Sequence, residues 1–300
     1  MSSLRFKPAL IAALSAMAIA ATLPAQSQAQ PLFSLSVEDS TATVDGTPYS
    51  EIIRALTVAE HGRTLVAYDV AYAQALPFFD EYADYLAQIP VETLNRDEQL
   101  AYWLNTRNFL LVKGLAEERR IRGFKKKRGT PTDPGKFWTE TRITVSGQAL
   151  SLQDIETQIL FAGWDNPNII FGLYQGVRGG PPLPREPFTG ANINAELAEA
   201  ARRFNSESRN FRVRGETVRI SSYFDWYFDL AYAGDEAALR SHLATLAAPQ
   251  HQTLVREDAK LDRRTLSTEF ELYRTRQANA GAGTNGGSTG GARVSRGFGS

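Results

Sequence analysis

The chain has 300 residues and balances 33 Lys plus Arg against 33 Asp plus Glu, so no overall charge points to nucleic acid as a partner. It contains no cysteine, which excludes disulfides and thiolate chemistry and leaves stability to an apolar core. With the two ends set aside, about 230–250 residues remain, enough for one sizeable domain.

At the N-terminus, Arg5 and Lys7 precede an apolar run from Ala9 to Ala21, then Pro24 and a small-residue site, Ser27-Gln28-Ala29. That order reads as a secretory signal peptide over residues 1–29, which places the mature protein in the periplasm or outside the cell. A retained membrane anchor is the alternative. No later stretch approaches the roughly 18 uninterrupted apolar residues of a spanning helix. Residues 30–48 are rich in Thr, Ser and Asp and read as a flexible lead-in.

Helical periodicity begins near Tyr49 and continues through Leu65–Ile89, with Leu76, Phe79, Tyr82, Ala83 and Leu86 at three- and four-residue spacing before Pro90. The next helix covers Asp97–Gly114, with Asn95 as its N-cap and Glu98 three residues on. On a helical wheel Asn108 falls between Leu115 and Ala101, and Asn105 sits beside Val112 at the edge of the same apolar arc. An unpaired buried amide costs about 1–3 kcal/mol, so both carboxamides need hydrogen-bond partners in the fold or in a ligand.

Seven basic residues then fall within ten positions: Arg119, Arg120, Arg122, Lys125, Lys126, Lys127 and Arg128. Such a run is either a solvated loop or a patch drawn to anionic lipid or envelope polymer.

Beyond Gly129 the period changes. Arg142–Val145, a Ser146-Gly147 turn and Ala149-Leu150 alternate as a hairpin, and Ser151 with Asp154 opens a helix through Leu160. Ile169–Tyr174, between Pro167 and Gly176, reads as a buried strand. A helix from about Thr189 to Phe204 precedes a second hairpin, Phe211–Arg214 with Thr217–Ile220 across Gly215-Glu216. Helices over Tyr223–Tyr232 and Ala237–Leu246 follow. The expected fold is a single α+β domain over residues 49–275 with an N-terminal helical layer, two β-hairpins and C-terminal helices. The Gly/Ser-rich stretch 278–300 reads as a disordered tail.

Four ordered motifs now stand out: Arg96-Asp-Glu-Gln-Leu-Ala-Tyr-Trp-Leu-Asn-Thr-Arg-Asn108, Leu150-Ser-Leu-Gln-Asp-Ile-Glu156, Gly180-Pro-Pro-Leu183 and Ile220-Ser-Ser-Tyr-Phe-Asp-Trp-Tyr227. Together, over roughly Tyr49 to Thr275, they resemble the bacterial and plant family called domain of unknown function 547. The resemblance implies a His after Asp-Ile-Glu, a His opening the apolar strand, and Cys at the end of that strand and before Pro-Pro-Leu, a set suited to thiol or metal chemistry. Here those positions are Thr157, Ile170, Gln175 and Gly180. Trp103, Asn105, Asn108, Asp154, Glu156, Ser221 and Trp226 do match.

Other chemistry is thinly represented. His61, His242 and His251 lack metal-ligand spacing, and no Gly-x-Ser-x-Gly elbow or phosphate-binding loop occurs. Gly176-Val-Arg178-Gly-Gly-Pro-Pro is either a tight turn or an anion-binding loop. Asp154 reads as a helix cap and Asp225 with Asp229 as a solvated pair, whereas Glu156 is either a salt-bridged helix residue or a general base. The leading expectation is an exported, non-catalytic binding module with a degenerate thiol-type site. Asn105, Asn108, Glu156, Gln175 and Arg178 would hold a small molecule or peptide, with Asn105, Asn108, Glu156 and Gln175 sharing one polar cavity and no metal or cofactor. One alternative is a hydrolase using Glu156 with Asn105, Asn108 and Arg178. Another is a structural envelope protein held at an anionic surface by its basic run.

Overall fold

The computed structural model describes residues 31–118, 129–257 and 259–265; the expected leader, the basic run 119–128 and the tail 278–300 lie outside the described residues. The lead-in does not leave the domain as its polar composition suggests. Its backbone groups find partners there, and a satisfied backbone outweighs composition. Leu32 N–H donates to the Gln158 carbonyl, Val37 N–H to that of Leu94, and Val44 N–H to Glu98 Oε1. The Phe33 ring lies 4.8 Å from that of Trp103.

Helix α1 (Thr47–Leu56) carries Pro48 in its first turn and buries Tyr49, Ile53 and Leu56 along one face. The chain then departs from the expected continuous helical layer. Strands β1 (Thr57–Glu60) and β2 (Arg63–Val66) form an antiparallel hairpin. Its turn residues His61 and Gly62 both have positive φ, 49° and 72°, the geometry a two-residue hairpin turn requires. Helix α2 (Leu76–Ala87) follows a π-helical turn over Ala71–Ala75 and buries Phe79, Tyr82 and Leu86.

Helix α3 (Arg96–Ala116) begins where Asn95 accepts the Glu98 N–H at 2.9 Å. Every residue from Glu98 to Val112 is buried, so it is a central helix with no solvent face. Around it pack α2, the π-helical segment Ile155–Leu160 and α4 (Ile193–Ser206).

The hairpin of β3 (Ile143–Val145) and β4 (Gln148–Leu150) forms as expected, and Ser151 with Asp154 makes a reciprocal capping box. Ile169–Tyr174, by contrast, is no strand. It is a helical turn over Ile169–Gly172 that ends at the extended Leu173. The cause is visible in its carbonyls, which are taken by side chains: Tyr223 on Ile170, Asn108 on Gly172 and Arg107 on Tyr174.

Helix α4 starts four residues later than its periodicity suggests, because Asn192 Oδ1 accepts the Thr189 N–H and holds a turn there. Strands β5 (Phe211–Arg214) and β6 (Thr217–Ser221) form the second hairpin. The expected helix Tyr223–Tyr232 breaks at Tyr227 into two short pieces, before α5 (Glu236–Leu246). A further strand, β7 (Lys260–Arg264), pairs parallel with β6 to give the order β5-β6-β7. The result is an α+β domain, and all described residues fall in one compact unit. No described helix is long and apolar enough to cross a membrane.

Candidate functional site

Because α3 is buried all round, each of its polar side chains must be satisfied from a neighbouring element. Arg107 and Asn108 project toward Glu156 and the 169–175 turn. The fully buried Arg107 guanidinium pairs with Glu156, with Nε 2.7 Å from Oε1, and also donates to the Tyr174 carbonyl. It lies 5.4 Å from the centre of the Trp138 ring. Asn108 donates to the Gly172 carbonyl at 2.7 Å and accepts the Tyr174 N–H at 2.9 Å.

Next to this group, Gln175 Nε2 donates to the Tyr227 hydroxyl, and the Tyr223 hydroxyl donates to the Ile170 carbonyl at 2.6 Å. Burial pushes both tyrosine hydroxyls well above their ordinary range, so they remain neutral. Glu156 is 2 % exposed. A charge so deep persists only because its partner is equally deep.

Asn105 belongs elsewhere. One turn earlier on α3, its Oδ1 accepts the Phe188 N–H at 2.9 Å and its Nδ2 donates to the Phe188 carbonyl at 2.8 Å. This pair pins the end of a proline-rich strap, residues 180–188. Prolines at 181, 182, 184 and 187 supply no N–H, so side chains fasten the strap mainly through its carbonyls. Arg63 donates to Gly180 O at 2.9 Å, Thr64 to Leu183 O at 2.7 Å and Tyr49 to Pro184 O at 2.8 Å. Just beyond, Glu98 accepts the Gly190 N–H at 2.6 Å, and a Cβ at Gly190 would fall 2.8 Å from the Glu98 nitrogen.

The strap forms one wall of an open groove of about 420 Å³, with β2 and α4 as the others. Phe171, Pro182, Leu183, Pro187, Phe188 and Ala200 give it an apolar lining, and Arg63, Arg185, Arg203, Glu186, Glu196 and Asn192 also line it. Arg185 donates to Thr57 Oγ1 at 3.2 Å and is in no ion pair among the described residues. The exposed Arg203 side chain has no hydrogen-bond or ion-pair partner among them.

The structure therefore brings together three of the five expected site residues, Asn108, Glu156 and Gln175, inside a sealed interior. Asn105 turns to the strap, because its amide satisfies both backbone groups of Phe188. Arg178 is exposed on the tight turn from Val177 to Gly180 and is not among the groove-lining residues. The single cavity expected for Asn105, Asn108, Glu156 and Gln175 is thus not formed. Gln175 and Gly180, where the resemblance expects two Cys, do adjoin: a Cβ at Gly180 would lie 3.2 Å from that of Gln175.

Residue type and spacing gave no warning of Arg107, since a cation reads as surface until its helix proves buried on every side. Arg185 and Arg203 were equally silent. His242 is partly buried between the Tyr232 hydroxyl, 2.8 Å from Nδ1, and Asn168 Oδ1, 2.9 Å from Nε2. Burial lowers its pKa from 6.5 to about 4. Among the described residues no group of three His, Asp or Glu is placed to hold a metal.

Fold and site define a cysteine-free α+β domain with a sealed ionic centre and a strapped groove. Residues 91–204 match the family described as "Protein of unknown function, DUF547". That stretch contains α3, Glu156, Gln175, the strap and most of α4, so the resemblance carried by the first three motifs is borne out there. No curated protein and no solved structure matches the chain.

Proposed function

We propose that the protein is an exported binding module whose ligand seat is the groove between the strap and α4. The observation that carries this reading is the contrast in what the two polar regions leave available. Arg107 and Glu156 neutralise each other in the interior, while the groove keeps Arg185 and Arg203 outside any ion pair among the described residues. Its volume falls in the ~300–1,000 Å³ range of small-molecule pockets. The hydrolase alternative is weakened because Glu156 is buried and held by Arg107. A substrate water would have to break that ion pair before meeting a base.

Thermal-shift screening of a chemically varied small-molecule library against the full chain and its Ala200→Phe variant tests the reading. Compounds that stabilise the native protein should lose much of their effect in the variant, whose aromatic ring intrudes on the groove. Equal stabilisation of both proteins would contradict it, and turnover abolished by Glu156→Gln in folded protein would favour the hydrolase. Export rests on the order of basic, apolar and small residues in 1–29. Mass spectrometry of the mature chain should find Gln30 at its N-terminus, and a chain retaining Met1 would count against it.

A further inference from the structure

The chemistry of the groove walls narrows the ligand, an inference that rests on the groove being the binding seat. Peptides that add as an extra strand need main-chain donors and acceptors on the receiving wall. The strap offers few. Its four prolines lack N–H groups, and the carbonyls of Gly180, Leu183 and Pro184 are already taken by Arg63, Thr64 and Tyr49. What the wall presents is apolar surface, which binds a hydrocarbon body without asking for hydrogen bonds.

The charges around that surface are unequally engaged. Glu186 is held by Arg54 and by Ser50, and Arg63 by Gly180 and Glu207. Glu196 remains, but it lies seven residues before Arg203 on α4, about 10 Å along the helix axis. Arg203 is thereby set apart from Glu196 along the helix, and it and Arg185, both outside any ion pair among the described residues, are the guanidinium groups the groove offers an anionic head. A guanidinium fork suits a carboxylate by geometry as well as charge.

We propose that the groove binds a small amphipathic anion, an aliphatic body ending in a single carboxylate. Isothermal titration of the full chain with decanoate, decanol and decylammonium, each below its aggregation threshold, tests this, with a hydrophobic tripeptide bearing a free C-terminus as a fourth probe. Decanoate should bind, and decylammonium should bind at least about tenfold more weakly, as expected when a charge-assisted contact is lost. Replacing Arg185 and Arg203 together by Gln should lower decanoate affinity by about tenfold or more and remove its advantage over decanol. Ala200→Phe should abolish binding of decanoate and decanol alike, with unfolding midpoints recorded to show that each variant is folded.

Decylammonium binding as well as decanoate, or undiminished decanoate binding by the double Gln variant, overturns the proposal. Tighter binding of the tripeptide that Ala200→Phe abolishes overturns the ligand class but leaves the groove as the seat. Binding that is absent for all four probes overturns this ligand class as well, and decanoate binding unaffected by Ala200→Phe removes the groove reading itself.

Discussion

Two polar regions flank one helix and are built on opposite terms. The interior around Arg107, Glu156, Asn108 and Gln175 pairs charge with charge, the Asn108 amide with backbone and the Gln175 amide with the Tyr227 hydroxyl inside the core. The groove holds its backbone equally firmly, through Asn105, Arg63, Thr64 and Tyr49, yet leaves Arg185 and Arg203 outside any ion pair among the described residues. A buried polar residue in a family motif is therefore no sign of a ligand by itself. What distinguishes a binding surface is polar capacity that the fold has not already used.

The contrast can be broken most forcefully at the ion pair. Glu156→Gln keeps the shape but leaves Arg107 buried without a counter-charge, and should destabilise the protein by about 3–5 kcal/mol in urea unfolding. Replacing Arg107 and Glu156 together by Met should cost clearly less than that single change. Equal costs would mean that the pair is not what holds this region.

Acid probes a site belonging to neither region. His242 has a folded pKa of about 4 against an ordinary 6.5. The unfolded chain therefore takes up a proton below about pH 6.5, while the folded protein resists until about pH 4. Stability should fall as pH drops through this window, by up to about 3 kcal/mol, and the loss should level off below it. His242→Gln should flatten that part of the profile, and a profile unchanged by the substitution would remove His242 as its cause.

The two amides of α3 give the next smaller effects. Asn108→Leu leaves the Gly172 carbonyl and Tyr174 N–H without partners where water has no access, a cost of about 1–3 kcal/mol. Asn105 is 9 % exposed, so Asn105→Leu should cost nearer 1 kcal/mol while loosening the strap and weakening ligand retention. Smallest of all, exchanging the groove arginines 185 and 203 for Gln should change stability by no more than about 0.5 kcal/mol. A larger loss would show that the groove carries structural weight.

Much of the fold was legible because its signals are local. Asn95 ahead of Glu98, Ser151 ahead of Asp154, and glycine-bearing turns at Ser146-Gly147 and Gly215-Glu216 each act within four residues. What escaped is satisfied from afar. Ile169–Tyr174 reads as a strand until its carbonyls meet Asn108 and Tyr223 from distant stretches of the chain, and β7 pairs with a strand some forty residues earlier. The hairpin of β1 and β2 was lost inside a helical reading, because four-residue strands fit either period.

The candidate site was legible only as chemistry. Asn105 and Asn108 do require partners, as their place on the wheel demands. The wheel could not say that their partners lie on different elements, since both side chains leave the same side of α3. Arg107 needed the knowledge that this helix has no outer face.

Decanoate titration of Asn108→Leu asks most directly whether stability and binding are separate. The expected result is a folded, less stable protein that gains as much from saturating decanoate as the native chain does, because Asn108 serves the interior. A folded Asn108→Leu protein that no longer binds decanoate would contradict it and return the ligand to the centre around Glu156.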